Sequence, residues 1–530
     1  MEPGDPAQVL VVGAGPTGLA LAAQLTAFGV RVRLVDRAAD RVHESRALAI
    51  QPRTLEVLAG LGVTERLVAA GNRMVRLVLH VRGRALSLPM FDFGLADTAY
   101  PYLLFLSQAE TERILTEHLA AAGVVVERQV ELTALTQDGD GVSCELSHGD
   151  GRAEVVAARY VVGCDGAHSS VRRLAGIGFE GGTYPQTFVL ADVDADGIEP
   201  GAAHVFIGDR GPLFFFPLGS PATWRLLAIR PPAEVDDGRP VDLPAVQDLA
   251  DEYTGGGVRL RDPVWMTDFR IHLRAATAYR SGRAFLAGDA AHIHSPAGAQ
   301  GMNTGIQDAV NLAWKLAHTL RGATPRLLDT YETERLPVGR TVLRFTDRAF
   351  TAATSTTPLV RAARARVPAL LVPLAARAKR ARAFVFRNAA QLGIRYRNSP
   401  LSTDNARSWR RGPRPGDRLP DTAVLHNGER TTLHAAVAAP AWHLIVCGAS
   451  PPPAALVELT GRYEGVLVVH RLTAQPDPGV LHDPSGQALR RLGLTTTDTA
   501  LLLVRPDGHV GFRTAELADP GLPAYLARWL

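Results

Sequence analysis

At 530 residues, with 46% hydrophobic and 21% charged side chains, the chain has the makeup of a folded protein of two or three packed units, which excludes disordered, collagen-like and coiled-coil architectures. Its 57 Lys and Arg against 53 Asp and Glu leave a net charge of +4, too thin over this length for the dense basic field that nucleic acid requires. The nearest thing to a basic run, Arg361 to Arg387, interleaves Arg and Lys with apolar residues at roughly helical spacing; it reads as a helix packed on the body with a solvated basic face, ahead of a membrane-surface helix.

The first elements are the most informative. From Gln8 an apolar strand Val-Leu-Val-Val runs into Gly13-Ala14-Gly15-Pro16-Thr17-Gly18, an Ala/Leu-rich helix to Phe28, and a second strand from Val32 to Val35 that ends at Asp36. Gly13 permits the tight turn, Gly15 lets backbone approach a pyrophosphate, and Gly18 lets the helix pack on the sheet. The helix N-terminus offers its unpaired N–H groups to the phosphates. Asp36 stands where a carboxylate accepts ribose hydroxyls, which disfavours a 2′-phosphate and predicts FAD or NAD in place of NADP.

Two later stretches repeat the theme of a strand ending in Gly and Asp. Tyr160 to Arg173 contains Gly163-Cys164-Asp165-Gly166 followed by Ser caps of a helix. Arg283 to Leu316 contains Gly288-Asp289-Ala290-Ala291-His292, then Ser295 to Asn303 leading into a long amphipathic helix with Asp308, Asn311, Trp314 and Lys315. Between them, alternating stretches at Thr187 to Val193, Ala203 to Ile207, Leu213 to Leu218, Trp224 to Ile229 and Phe269 to Leu273 predict a separate mixed sheet. Phe214, Phe215 and Phe216 put aromatic rings on both faces of one strand, so Phe214 and Phe216 are candidates for a pocket wall, with the core as the alternative place for each. After about residue 345 the chain turns helical and Arg/Ala-rich, Gly412 to Asp417 marks a linker, and a last unit has strands at Trp442 to Cys447, Gly465 to His470 and Ala500 to Val504, with a hairpin turn at Pro506-Asp507-Gly508.

Cys144, Cys164 and Cys447 are odd in number and far apart, so neither a disulfide framework nor a CxxC pair is available, which suits a reducing cytoplasm. The start of the chain is acidic without the pattern of a signal peptide, and no apolar run is long enough to span a membrane.

GxGxxG with a later acidic residue, a Cys-Asp-Gly turn, and Gly-Asp-Ala-Ala-His before a Pro/Gly-rich loop, in this order, resemble the single-component FAD-dependent aromatic hydroxylases, the group of p-hydroxybenzoate and phenol hydroxylases. The resemblance covers roughly residues 8 to 345, and the tail is similar to the C-terminal domain of the branch that hydroxylates aromatic polyketides. It implies an α/β fold: a Rossmann-like FAD-binding domain in two parts (1–175, and 276–410 with a helical segment), an inserted mixed β-sheet substrate domain (176–275), and a thioredoxin-like C-terminal domain (411–530). With Cys447 as its only cysteine, that last domain has no redox pair and is left a structural role or a homodimer contact.

By position, the resemblance implies that Gly13, Gly15 and Gly18 hold the FAD pyrophosphate and Asp36 the ribose. Arg46 lies near the phosphates and flavin, Gln108 at the ribityl chain, Asp165 in a turn serving FAD and the nicotinamide nucleotide, and Asp289 on a ribityl hydroxyl. Pro296 sits beside the ring, while Gly298 to Asn303, including Gly301 and Met302, supply backbone N–H groups. Asp36 departs from the Glu of many relatives, a shorter reach to the same hydroxyls. NADPH or NADH would reduce FAD, O2 would add to give a flavin 4a-hydroperoxide, and the distal oxygen would pass to a bulky, polycyclic phenolic substrate. No second GxGxxG exists for the nicotinamide, which implies transient docking. No metal is expected: His292 and His294 form an HxH without a third ligand, and no general base is assigned. Baeyer–Villiger oxygenation of a quinone or ketone, inactivating hydroxylation of an antibiotic, and a flavin-binding protein without turnover remain the alternatives.

Overall fold

The computed structural model describes the chain apart from residues 1–6, 41–46, 74–75, 82, 90–94, 219–221, 231–234, 236–239, 295–299, 355–356, 358–359, 361–378, 407–408, 410 and 450. Arg46, Pro296, Gly298 and most of the basic run therefore lie outside the described residues; of that run, Lys379–Ala389 is a helix.

Val9–Val12 is buried at every position because it lies inside a parallel sheet covered on both faces, where apolar residues run continuously rather than alternate. The order across this six-stranded sheet is Arg280–Ser281, Ala284–Leu286, Tyr160–Gly163, Val9–Val12, Val32–Asp36, Val126–Arg128. All neighbours pair in parallel except the short edge strand Arg280–Ser281. Three strands far apart in sequence therefore end at one edge of the sheet, and each runs straight into one of the three glycine turns. The helix Pro16–Ala27 starts with proline in its first turn, a position where the missing N–H costs nothing. Behind it packs Gly301–Leu320, buried from Met302 to His318. An antiparallel meander, Val130–Gln137, Val142–His148 and Ala153–Ala158, borders the same domain.

The expected mixed sheet is present and larger than its segment. Its eight strands run His292–Ile293, Arg259–Ala276, Phe179–Asp196, Trp224–Ile229, Pro212–Pro217, Ala202–Ile207, Arg76–Val81, Arg84–Pro89, so it draws strands from outside residues 176–275. The polar spacing of Arg76-Leu-Val-Leu-His-Val gives little warning that it pairs in parallel with Ala202–Ile207. Strand alternation sorts the three phenylalanines. Phe215 is fully buried with Trp224, Leu226 and the helix Leu243–Thr254, while Phe214 and Phe216 share the opposite, half-open face with rings stacked 5.4 Å apart.

The C-terminal unit is a second eight-stranded sheet, with Leu467–Thr473, Trp442–Cys447, Ala500–Val504 and Val510–Thr514 at its centre. The strand expected from Gly465 starts later, because Gly465 has φ +78 in the turn that precedes it. This unit is anchored to the first domain by buried contacts: Trp442 meets Trp314 edge-to-face at 5.4 Å, Arg505 pairs with Glu334 at 2.6 Å, and Arg418 with Glu56 at 3.0 Å. Among the described residues, no helix is long and apolar enough to cross a membrane.

Candidate functional site

The three glycine turns converge. Gly13 leaves the first strand at φ +103 and donates to Val35 O at 2.8 Å; Cys164 N donates to Val12 O at 2.7 Å, and Ala287 N to Gly163 O at 3.0 Å. Side chains are excluded from the junctions. A Cβ on Gly13 would overlap the Cys164 carbonyl, one on Gly18 the Gly13 carbonyl, and one on Gly288 or Gly305 the Thr17 hydroxyl. Thr17 thus marks where the first turn, the Gly288-Asp289 turn and the Gly301–Leu320 helix meet, a role that its residue type did not signal.

Gly15 differs from its neighbours. Nothing lies within 4 Å of where its Cβ would be, and it borders a cavity of about 190 Å³ lined also by Asp36, Arg37, Glu131, Asp165 and Gly166. No side chain caps the helix that begins there, so its first N–H groups are left to an anion. Asp36 accepts from Ala14 N at 2.6 Å through Oδ2 and from Ala38 N at 2.8 Å through Oδ1, with Arg128 at 3.8 Å. Each oxygen keeps a second lone pair for a hydroxyl donor.

Asp165 is placed differently from a simple ligand. Its Oδ2 caps the Ser170–Leu174 helix, accepting from Ser170 N at 2.6 Å and Val171 N at 3.2 Å, while Oδ1 is buried without a hydrogen-bond partner. Burial raises its pKa above the ordinary carboxylate value. An orphaned acceptor beside a glycine-lined cavity, with the Asp36 carboxylate on the same wall, fits a dinucleotide whose hydroxyls and phosphates would meet these groups.

Toward the other end, Asp289 is exposed on the single turn Gly288–Ala290. Gln108 opens the helix Gln108–Ala121, donating from Nε2 to Glu112 at 2.8 Å and accepting from Ala47 N at 3.4 Å. Gly301 and Met302 form the first turn of the long helix, and the Asn303 side chain, fully buried, is bound to Ala49 and Gln51. Any contact from Asn303 to a cofactor must then come from its backbone. Ala49 pairs with Phe105, and Phe105 stacks on Phe216 at 5.8 Å. This ladder carries the start of the helix to the open face of the large sheet.

Beneath this site lie buried groups whose partnership the linear pattern does not show. Asp308 is fully buried, held by Arg335 at 2.6 Å and by His292 at 2.7 Å; only the HxH pattern hinted at it. Among the described residues, no group of three or more His, Cys, Asp or Glu is arranged to hold a metal.

Comparison with known proteins agrees with this geometry. Residues 6–346 match the family described as FAD binding domain, and residues 412–530 the one described as aromatic-ring hydroxylase, C-terminal. The chain is 38% identical to the 6-methylpretetramide 4-monooxygenase of Streptomyces rimosus, over 98% of its own length and 93% of that protein. Two solved structures share its fold over nearly the whole of both chains. The flavin-dependent monooxygenase PieE, in complex with FAD and substrate, has TM-score 0.83 at 26% identity and covers 99% of each chain. Aklavinone-11 hydroxylase, in a ternary complex with FAD and aklavinone, has TM-score 0.81 at 29% identity and covers 100% of this chain and 99% of that one.

Proposed function

As this chain belongs to the FAD-binding aromatic-ring hydroxylases, we propose that it is the monooxygenase of a bulky, polycyclic phenolic compound of polyketide type, with NADPH or NADH as the electron donor. That it is a flavoprotein monooxygenase using FAD follows from the family. The observation that carries the finer reading is the open face of the large sheet. Phe214 and Phe216 stack there beside Leu227, the cross-strand partner of Phe214, and Phe105 links them to the ring-side helix. Opposite Phe216 the same face carries Arg225, neutralised by Asp192 at 2.6 Å, and a wall of stacked aromatic rings beside a compensated ion pair suits a fused-ring substrate with polar substituents, by face-to-face contact and exclusion of water.

When bound, FAD supplies the transfer of one oxygen atom from O2 to the substrate ring. The remaining tasks fall to the chain. Gly15 and the uncapped helix behind it receive the pyrophosphate, and Asp36 receives the ribose. Asp289, exposed on its turn, would accept hydroxyls of the ribityl chain. The N-terminus of the Gly301–Leu320 helix would offer its partial positive charge to the anionic side of the ring. Phe214 and Phe216 hold the substrate and keep water out. The C-terminal unit contributes no redox chemistry: Cys447 is fully buried and burial pushes its thiol up to about 12. Its central strand order Val510–Thr514, Ala500–Val504, Trp442–Cys447, Leu467–Thr473, with the last two parallel and the others antiparallel, supports the thioredoxin-like reading.

The test is purified protein loaded with FAD and offered NADPH, NADH and a panel of hydroxylated anthraquinones. Nucleotide oxidation stimulated by an aromatic, with one oxygen atom gained as a new phenol, supports the proposal. A lactone or ester product would assign Baeyer–Villiger oxygenation instead, and no stimulation by any fused-ring phenol would overturn the reading.

A further inference from the structure

A set of buried ionisable groups behind the ring-side helix has no task in the reading above. Asp308 accepts from Arg335 Nε on Oδ1 at 2.6 Å, and on Oδ2 from His292 Nε2 at 2.7 Å and the Gly288 amide at 3.1 Å. His292, fully buried like Asp308, faces His294 through Nδ1 and Nε2 at 3.1 Å, with the rings 5.0 Å apart. Arg335 is itself held by the Tyr396 hydroxyl at 2.8 Å and the Thr304 carbonyl at 3.1 Å.

Charge balance assigns the protons along this row, and the tautomers follow from the network. Arg335 already balances Asp308, so a second cation on the same carboxylate would leave uncompensated charge in a site without solvent. Burial, with His292 alongside, pushes His294 down to about 3, so its imidazole is neutral near pH 7. The arrangement that closes without net charge has His292 donating from Nε2 to Asp308 and accepting at Nδ1 from His294 Nε2–H. His294 Nδ1 is then a bare lone pair. That edge of the ring faces Gly301, where a Cβ would lie 3.7 Å from both Nδ1 and Cε1. Gly301 opens the helix whose Asn303 is tied through Ala49 and Phe105 to the Phe216 floor.

We propose that His294 is a substrate-recognition residue: its Nδ1 lone pair, fixed by the His292–Asp308 relay, accepts a hydrogen bond from a phenolic O–H of the aromatic substrate. The proposal rests on the hydroxylase reading above. Such an acceptor draws electron density into the phenol ring and makes the ring carbon a better nucleophile, without removing the proton. Arg335 and the Gly288 amide keep Asp308 an acceptor, so the relay holds a single polarity and His294 discriminates between a hydroxyl and its ether.

The test uses the FAD-loaded protein and two probes, 2-hydroxyanthraquinone and 2-methoxyanthraquinone, with dissociation constants read from perturbation of the flavin absorbance. The wild type should favour the hydroxyl compound by about tenfold, the effect of one net hydrogen bond. His294→Leu should bring the two constants together while leaving the methoxy constant within about twofold of wild type, and His294→Gln, whose amide oxygen accepts, should restore part of the preference. An unchanged preference in His294→Leu, or none in the wild type, overturns the proposal. If His294→Leu fails to retain FAD, His294→Gln decides: a retained preference for the hydroxyl compound, full or partial, supports an acceptor at this position, and its complete loss with methoxy binding intact overturns the acceptor role. Wild-type protein that holds FAD yet binds neither probe overturns the hydroxylase reading itself, a result distinct from a lost preference.

Discussion

Asn303 Nδ2 donates to Ala49 O at 2.8 Å while its Oδ1 accepts from Gln51 N at 2.8 Å, so one buried side chain joins the Gly301–Leu320 helix to the strand Ala49–Ile50 near the start of the chain. Both partners are backbone groups away from solvent, and each would lose this hydrogen bond if the amide were removed. Asn303→Ala should therefore lower stability by about 2–4 kcal/mol and loosen FAD in step. Denaturant unfolding with and without FAD measures both. An unfolding midpoint equal to wild type would show that the tie is not carrying the junction.

The glycines of the first turn should separate into two classes. Gly15 has φ −76 and ψ −177, an ordinary extended conformation, with open space at its Cβ position, so Gly15→Ala should fold with wild-type stability. Its methyl would stand in the cavity, and crowding of this kind costs about 1–3 kcal/mol, or roughly 5- to 150-fold in FAD affinity. Gly18→Ala would press on the Gly13 carbonyl and should cost about 3 kcal/mol or more of stability in the protein without FAD. Thermal unfolding beside flavin titration distinguishes the classes, and equal behaviour of the two variants would contradict the placement of the pyrophosphate.

Adjacent phenylalanines should also behave oppositely. Phe215 is fully buried against Trp224, their ring centroids 6.2 Å apart, and Phe215→Ala should cost about 3–5 kcal/mol. Phe214 and Phe216 are half-buried on the other face, so Phe214→Ser and Phe216→Ser should lose about 1 kcal/mol or less while raising KM for a fused-ring substrate. Chemical denaturation and steady-state kinetics on the three variants test this. Wild-type KM in both serine variants would remove these rings from the substrate wall.

Acid should loosen the contact between the C-terminal unit and the body. Burial alone would raise the Glu334 pKa, but Arg505 and Lys315 beside it hold the carboxyl down to about 2. A folded-state pKa below the unfolded value of about 4.3 means that the folded chain binds fewer protons. This contribution is fully present above that value and is lost as the pH falls from about 4.5 toward 2. Glu334→Gln should be destabilised by about 3–5 kcal/mol near neutrality, because Arg505 and Lys315 lose their counter-charge, and should show a flatter decline below pH 4.5. Unfolding free energies from pH 7 to pH 3 provide the check, and parallel curves for the two proteins would exclude Glu334 as the acid-sensitive group.

Local chemistry made one part of the protein legible from its residues. Glycine at positions 13, 15 and 18, an acidic residue at 36 and strand-terminal Gly-Asp pairs are requirements of backbone conformation and phosphate approach, so they show in a linear pattern. The strands Trp224–Ile229, Trp442–Cys447 and Ala500–Val504 showed for the same reason, since burial imposes their composition residue by residue. What the tertiary structure alone decided is which distant groups share a space. That Arg76–Val81 joins a sheet built mostly a hundred residues later, that Asp165 spends one oxygen on a helix cap, and that Asp308, His292 and Arg335 meet in the interior depend on pairings between segments. Such pairings arise from packing and from the need to compensate buried charge, and a single chain read in order carries no term for either.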